Sequence, residues 1–228
     1  MKSFIGVLVR FVLVVLVGTI ATLSIHSQES ELLSKASVRD VDAVKAIVES
    51  GVNINAQDDS YGYTALIWAC EHNSAEMARY LLSKGADPNV RANDGSTALI
   101  RAAGNAPDAV ELLLSAGGDV NARADDGSGV ISQCMFGILY KGYPMSLAEL
   151  IVPLVDDVDE TFTAPESIAG YTPLFFAARD NHEPFAGLLI EHGADVNAAA
   201  EDGSTPLELA EAAGHREMVR LLRSNGAR

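Results

Sequence analysis

The sequence Gly62-Tyr-Thr-Ala-Leu66 returns as Gly95-Ser-Thr-Ala-Leu99, and the interval between the two copies is 33 residues. A second pair of copies, Gly170-Tyr-Thr-Pro-Leu174 and Gly203-Ser-Thr-Pro-Leu207, has the same interval. A fixed period of this length is typical of proteins in which each repeat is one supersecondary unit stacked on its neighbours. The chain of 228 residues is therefore predicted to form a repeat array.

A second motif closes each unit. Gly85-Ala-Asp-Pro-Asn89 is similar to Gly193-Ala-Asp-Val-Asn197, and looser copies begin at Gly51 and Gly117. Apolar residues at helical spacing precede the motif, as in 75–82, and its glycine stands where a left-handed residue ends a helix. Each unit is predicted to be two short helices and a turn, and neither helix is long enough to be stable without neighbouring units.

These motifs together resemble the ankyrin-repeat family. The period of 33, the Thr-Pro-Leu sequence and the Gly-Ala-Asp-Val-Asn sequence carry the resemblance, which covers about 29–228. It implies an all-α ankyrin-repeat solenoid of about six helix-turn-helix units with finger-like turns, in a repeat domain over 28–228. The expected units are about 29–57, 58–91, 92–123, 124–168, 169–199 and 200–228.

The fourth unit is irregular. Gly127 and Gly170 are 43 residues apart instead of 33, and the extra residues fall near 140–144 and 160–166. Extra residues have no matching position in a nearest-neighbour stack. The segments 140–145 and 160–168 are therefore expected to protrude and to be more mobile than the regular turns.

The N-terminal segment has the layout of a secretory signal. Lys2 and Arg10 precede the uncharged apolar run 11–21, and polar residues follow. We expect 1–27 to be a signal peptide, with the mature chain starting near residue 25 to 28.

The alternative is an uncleaved signal anchor. Residues 4–25 are numerous enough to span a bilayer, although Arg10 interrupts them, and membrane contact would be confined to this segment. In both cases positive charge precedes the apolar run, so the rest of the chain is expected outside the cytoplasm, in the periplasm or the extracellular space.

The net charge bears on the class of partner. The chain has 31 acidic and 16 basic residues, a net charge of −15, which repels phosphate backbones and argues against nucleic acid. A protein with a basic surface is favoured instead. The alternative is that the charge only keeps the protein soluble.

No pattern of reactive residues predicts an enzyme. The sequence motifs of zinc proteases, dithiol redox proteins, serine hydrolases and P-loop proteins do not occur. His182 and His215 are 33 residues apart, which predicts equivalent structural positions in adjacent units, too distant to share a zinc ion. The acidic pairs at 58–59 and 125–126 are typical of solvated turns. We expect no catalytic residue, metal or cofactor.

Cys70 and Cys134 are predicted to remain unpaired even in an oxidising compartment. They align with small inward positions on the first helices of the second and fourth units. At about 10 Å per unit their α-carbons would be about 20 Å apart, whereas a disulfide requires less than about 7 Å.

The resemblance assigns partner binding to the concave face, which the turns and first helices build. The residue two places after each motif leucine is expected there, and these residues are Trp68, Arg101, Gln133, Phe176 and Leu209. Trp, Arg and Phe are favoured at the centres of interfaces. One expected patch comprises Tyr61, Tyr63, Trp68 and Arg101, and a second comprises Tyr171 and Phe176. The alternative is that Trp68 and Phe176 pack within the array.

The resulting prediction is a monomeric, exported array that binds another protein as a scaffold or a mask. An alternative is an inhibitor or immunity-type protein that blocks a toxin or an enzyme, which the acidity and the irregular fourth unit favour. An enzyme or a metal-handling protein is the least favoured.

Overall fold

The computed structural model describes residues 26–163 and 169–228, and twelve α-helices lie in these two stretches. The first, α1, covers 26–37. The others are α2 Val41–Glu49, α3 Ala65–Glu71, α4 Ala75–Ser83, α5 Ala98–Asn105, α6 Pro107–Ser115, α7 Val130–Lys141, α8 Ser146–Ile151, α9 Pro173–Arg179, α10 Glu183–Glu191, α11 Pro206–Ala213 and α12 Arg216–Ser224. The prediction of an all-α array is confirmed.

The expected signal or anchor falls almost wholly on residues 1–25, which lie outside the described part of the chain. Among the helices of 26–163 and 169–228, none combines the length and the apolar character needed to cross a bilayer. His26 belongs to α1, so the array begins earlier than the expected start at residue 29.

The helices form two rows. In one row, α3 packs on α5, α5 on α7, α7 on α9 and α9 on α11, and in the other α2 packs on α4, α4 on α6, α8 on α10 and α10 on α12. The core lies between the rows, and each motif leucine is buried in it: Leu66, Leu99, Leu174 and Leu207. Burial of one leucine side chain stabilises the fold by about 1.5–3 kcal/mol, so each unit depends on its neighbours for most of its stability.

Adjacent finger-like turns are joined by one backbone hydrogen bond each. Asn93 donates its N–H to the Tyr61 carbonyl at 2.8 Å, and Asp125 donates to the Asp94 carbonyl at 2.9 Å. The fingers approach closely at Gly62, where an added Cβ would lie 2.5 Å from Asn93 Oδ1. Gly62 also has a φ of 67°, so both its conformation and its surroundings require glycine.

A second set of hydrogen bonds joins neighbouring units at their ends. The last residue of the closing motif accepts, through a side-chain oxygen, a hydrogen bond from a backbone N–H of the next unit. The five pairs are Asn55 with Asp87, Asn89 with Asp119, Asn121 with Asp156, Asp159 with Asp195 and Asn197 with Arg228, at 2.8 to 3.1 Å. We call this set the junction ladder.

Asp159 is the exception in the junction ladder. Asn89 and Asn197 also donate their Nδ2 to the carbonyls of Gly117 and Gly226. Asp159 has a second oxygen in place of that donor, and this Oδ1 is buried without a hydrogen-bond partner. Burial is the main cause of the raised pKa of Asp159, and the carboxylates of Asp157 and Asp195 raise the pKa further.

A threonine precedes the first helix of the second, third, fifth and sixth units, and Thr172 of the fifth unit makes no side-chain cap. Thr64, Thr97 and Thr205 each accept a hydrogen bond from the N–H three residues later, which caps an otherwise unpaired helix terminus. In the sixth unit the Glu208 carboxylate also accepts from the Thr205 N–H at 3.0 Å, completing a capping box.

The fourth unit has no threonine at this position. Gly129 precedes α7 and provides no side-chain cap. The Glu160 carboxylate takes the place of the missing cap, because it accepts hydrogen bonds from both the N–H and the hydroxyl of Ser132. Glu160 is buried and lies 2.8 Å from Arg123 Nη1. Burial raises the pKa of Glu160, and Ser132 and Arg123 oppose that shift.

The expectation that 140–145 protrude is wrong for Tyr140 and Lys141, because the extra residues lengthen α7. Lys141 Nζ donates to the Gly104 carbonyl of the preceding unit at 2.6 Å. The Tyr140 hydroxyl donates to Asp180 Oδ2 of the following unit at 2.5 Å. The added helical turn thus ties three units together.

The expected protrusion of 160–168 is also wrong for its first residues. Phe162 is buried, and Thr163 donates its N–H to the Asp126 carbonyl at 2.9 Å. The remaining residues, 164–168, lie outside the described part of the chain.

Cys70 and Cys134 are both free and buried, as expected. Burial raises the pKa of each thiol to about 12. The thiols therefore remain protonated at neutral pH and behave as small apolar groups.

We predict that Asp159→Asn stabilises the fold by about 1 kcal/mol at neutral pH, because the new amide can donate where Oδ1 has no partner. Because folding raises the pKa of Asp159, the protonated carboxyl contributes its full stabilisation below about pH 3.9, the pKa of an unfolded aspartate. That contribution is lost as the pH rises through the pKa of the folded state. The gain from the variant is accordingly small in acid and full at neutral pH, which urea unfolding at several pH values measures. Asn121→Asp is the matched control and should destabilise. Equal stability of Asp159→Asn and the parent at neutral pH would contradict the unpaired state of Oδ1.

We predict that Glu160→Ala lowers the free energy of unfolding by about 2 kcal/mol or more, because it removes the cap of α7 and the partner of Arg123. Gly129→Thr alone should also destabilise, since a Cβ there would collide with both the Glu160 carboxylate and the Arg123 guanidinium. In the double variant the collision with Glu160 is gone, and the Arg123 guanidinium has lost its partner and can move aside. The threonine then restores the cap, so part of the stability returns. Denaturant unfolding of the three variants tests this, and a double variant no more stable than Glu160→Ala would contradict it.

Candidate functional site

Three aromatic residues of the first predicted patch contact one another at the start of the second unit. The Trp68 ring lies 4.9 Å from the Tyr63 ring and 5.9 Å from the Tyr61 ring, both in edge-on geometry. His72, one helical turn later, stacks on Trp68 at 5.3 Å. The structure therefore brings together the three aromatic residues that the sequence placed in one patch.

Asp58 fixes the orientation of the indole ring. Its Oδ2 accepts a hydrogen bond from Trp68 Nε1 at 2.9 Å. Its Oδ1 accepts from the N–H of Ser60 at 3.0 Å and from the N–H of Tyr61 at 2.6 Å. One carboxylate thus holds both the indole and the turn that carries Tyr61, and the site is largely preorganised.

Arg101 of the third unit completes the patch. Its guanidinium lies 5.1 Å from the centre of the Tyr63 ring, a distance typical of a cation–π contact. The same group pairs with Asp94 and lies 3.6 Å from Glu71 Oε2. Arg101 is therefore fully engaged within the array, and its charge is compensated.

The expectation of an outward Tyr63 is wrong. Its side chain is 7% exposed, whereas Tyr61 is 57% exposed, because Tyr61, Trp68 and Arg101 surround it. Burial raises the pKa of Tyr63 to about 12. Tyr61 and the half-buried Trp68 are the aromatic residues that the first patch presents to solvent.

In the second predicted patch, Phe176 belongs to the core, and the half-buried Tyr171 packs against it with the two ring centres 5.8 Å apart. Phe176 is 3% exposed and lies 5.7 Å from Phe136 and 5.5 Å from Phe162. Arg179 also covers its ring at 4.9 Å. Phe136 comes from the lengthened α7 and Phe162 from the long finger of the fourth unit, so the irregular unit supplies the side chains that bury Phe176. Phe176 therefore packs within the array, which is the alternative to partner binding that the sequence analysis left open.

The remaining residues that the sequence placed on the concave face, Gln133 and Leu209, are only partly exposed. Gln133 is half-buried and lines a small cleft with Arg101, Asp94 and Asp126. Leu209 is half-buried in the last unit.

Sequence reasoning missed the contribution of α1. Glu29 and Leu33, which belong to the first expected unit, line a groove together with Tyr61 and Trp68, whereas the predicted patches included no residue of that unit. The signal that could have revealed the helix is the helical spacing of Leu32, Leu33 and Ala36, all of which are buried.

His182 and His215, the two histidines at equivalent repeat positions, have structural roles. His182 Nδ1 accepts a hydrogen bond from the Phe185 N–H at 3.2 Å and caps α10. His215 Nε2 lies 2.9 Å from the Arg179 carbonyl of the preceding unit. Across 26–163 and 169–228, no group of three or more His, Cys, Asp or Glu side chains is arranged to hold a metal ion.

A family model described as ankyrin repeats in three copies matches residues 32–124 and 135–228. A putative ankyrin repeat protein of Escherichia coli K12, YahD, is 29% identical over 222 residues, which cover 90% of this chain and all of YahD. The p105 subunit of chicken nuclear factor NF-kappa-B is 30% identical over 175 residues, 76% of this chain but 17% of that protein. Human ankyrin repeat domain-containing protein 40 is 37% identical over 75 residues, and the match spans 20% of its length.

Solved structures are similar over most of the chain. An ankyrin repeat domain from Acinetobacter baumannii has a TM-score of 0.74 and 26% identity, and the match covers 88% of this chain and all of that domain. The ankyrin repeat domain of Bcl-3 has a TM-score of 0.69 and 24% identity, with 86% of each chain covered, which supports the fold alone. Ankyrin repeats mediate protein–protein interaction, and this chain belongs to the ankyrin-repeat family.

Proposed function

We propose that this chain is an exported ankyrin array that binds one protein partner through the exposed aromatic surface at the start of its second unit, and that it has no catalytic activity. Membership of a family of interaction modules supports protein binding. The observation that carries the location of the interface is the Tyr61 side chain, which is aromatic, 57% exposed and held in place by Asp58 through its turn.

Two properties of this surface favour binding. Aromatic residues lose little conformational entropy when they become buried, and they are enriched among the residues that dominate binding energy. Trp68 is already oriented by its hydrogen bond to Asp58, so less ordering is needed when a partner arrives. Because the helices of neighbouring units pack through their buried faces, only the exposed faces of the turns and first helices remain available to a partner.

Export is supported by the sequence alone. Lys2 and Arg10 precede the apolar run 11–21, which is the layout of a secretory signal or an anchor. A scaffold or mask outside the cytoplasm is the role that fits both export and the fold.

A second candidate is an inhibitor or immunity-type protein that blocks a toxin or an enzyme. The net charge of −15 favours it, since a strongly acidic surface attracts a basic target quickly. Release of a partner's enzymatic activity when the array is removed would favour this candidate over a passive scaffold.

The test is capture of the partner by the native chain from the exported fraction, with variants that separate binding from stability. We predict that Tyr61→Ala weakens partner binding by about 2 kcal/mol or more and changes the free energy of unfolding by about 1 kcal/mol or less. Tyr140→Ala is the matched control, because Tyr140 is 53% exposed but lies on the fourth unit, and it should leave binding unchanged. Equal weakening by both substitutions, or recovery of the chain only from the cytoplasm, would overturn the proposal.

We predict the opposite outcome for Phe176. Phe176→Ala removes a buried ring from a cluster of four aromatic residues and should lower the free energy of unfolding by about 3–5 kcal/mol. Where the variant is still folded, partner binding per folded molecule should be unchanged. Thermal unfolding and binding assays on the same sample measure both quantities, and a small loss of stability with a large loss of binding would place Phe176 in the interface.

A further inference from the structure

A groove of about 770 Å³ lies between α1 and the first turns of the array. Its size is within the range of ligand-binding clefts and is larger than a single ion requires. Its lining includes three carboxylates, one aliphatic side chain and two aromatic rings, which belong to Glu29, Asp58, Asp59, Leu33, Tyr61 and Trp68. The groove is therefore continuous with the exposed aromatic surface proposed above as the interface.

The lining of the groove carries uncompensated negative charge. Glu29, Asp58 and Asp59 are carboxylates, and neither lysine nor arginine is among the lining residues. The lining also includes His26, whose side chain is 81% exposed and whose Nδ1 lies 3.7 Å from Glu29 Oε2. Asp58 accepts its three hydrogen bonds from uncharged N–H groups. Asp59 is exposed and makes no ion pair with any residue in 26–163 or 169–228.

The aromatic faces in the groove are also without a cation. Elsewhere in the array basic residues lie over three aromatic rings: Arg101 over Tyr63, Arg179 over Phe176, and Lys45 and Lys84 over Tyr80. Within the described stretches, no lysine or arginine lies over Tyr61 or Trp68. Tyrosine and tryptophan bind a cation through the ring face, and tryptophan binds most strongly.

We propose that this groove binds a basic, lysine- or arginine-containing segment of the protein partner. The charged head group lies among Asp59, Glu29 and Asp58, and the aliphatic stem packs on Tyr61 and Trp68. A long basic side chain satisfies both halves of the lining at once, since its stem is apolar and its head is charged. This inference rests on the proposed function, because it assigns the partner's chemistry at the same surface.

The chain contains its own reporter for the test. Trp68 is its single tryptophan, so selectively excited tryptophan fluorescence reports the groove alone. We expect a synthetic octapeptide of alternating lysine and glycine to change the Trp68 emission in a saturable manner. A glutamate–glycine peptide should cause no change, and a glutamine–glycine peptide should bind at least fivefold more weakly. Affinity for the basic peptide should fall at least threefold between about 0.01 and 0.15 M salt, as the screening length shortens from about 30 to about 8 Å.

Two charge-matched double variants separate the groove from the overall charge. Glu29→Gln with Asp59→Asn removes two carboxylates from the groove and should weaken the basic peptide at least fivefold. Glu111→Gln with Glu201→Gln removes two exposed carboxylates on other units and should change affinity less than twofold. Equal effects of the two double variants would show that only the net charge matters and would overturn the proposal. Saturation by tetramethylammonium at the same concentration as the peptide would also overturn it, since a small cation site is a different site.

Capture of the native partner by the variants separates failure of this proposal from failure of the proposed function. If Tyr61→Ala abolishes partner capture while the Glu29→Gln, Asp59→Asn variant retains it at full affinity, the interface stands and the basic segment is refuted. If Tyr61→Ala leaves partner capture intact, the proposed interface itself fails, and binding of the basic peptide is then judged by the fluorescence titration alone. Loss of capture in both variants, with the Glu111→Gln, Glu201→Gln chain unaffected, supports both proposals.

Discussion

The hydrogen bond from a backbone N–H of one unit to the closing side chain of the unit before it sets the spacing of the array. Asn55, Asn89, Asn121 and Asn197 each accept such a bond, and Asp159 takes the same place at the fourth junction. Helices of seven to nine residues cannot persist alone in water, so they form only when this spacing lets them cover their neighbours. The hydrogen bonds between finger-like turns and the contacts within the exposed aromatic surface depend on the same spacing between units.

The irregular fourth unit shows how an array accommodates extra residues without losing its spacing. The added turn of α7 bonds to the preceding unit through Lys141 and to the following unit through Tyr140. The long finger returns Glu160 to the start of α7, where it replaces the threonine cap of other units. Phe162 from the same finger enters the aromatic core. The insertions are thus used as internal supports, and the exposed aromatic surface lies two units away from them.

Much of this architecture could be predicted from the sequence, because the repeat period is a local property of the chain. The motif leucines, the threonine caps and the free Cys70 and Cys134 follow directly from register. The burial of Tyr63 and Phe176 could not be predicted in this way, since it depends on Arg101 from the next unit and on Phe162 from an insertion with no counterpart elsewhere. The cap supplied by Glu160 was likewise hidden, because it acts on a helix that begins about thirty residues earlier. The groove could not be predicted from the repeat pattern, because α1, which forms one of its walls, lacks the opening motif.

The junction ladder also bears on how such a chain can change in length. The accepting group is a side chain, but the donating group is a backbone N–H, which every residue except proline possesses. A unit that ends in asparagine can therefore be followed by almost any other unit without a matched substitution in the newcomer. Duplication or loss of a whole unit next to Asn55, Asn89 or Asn121 leaves an intact junction, whereas the unit that ends in Asp159 carries its unpaired oxygen to whatever follows it. The ladder thus allows the regular units to be exchanged for one another, whereas the fourth unit also depends on side-chain contacts with its present neighbours through Lys141 and Tyr140.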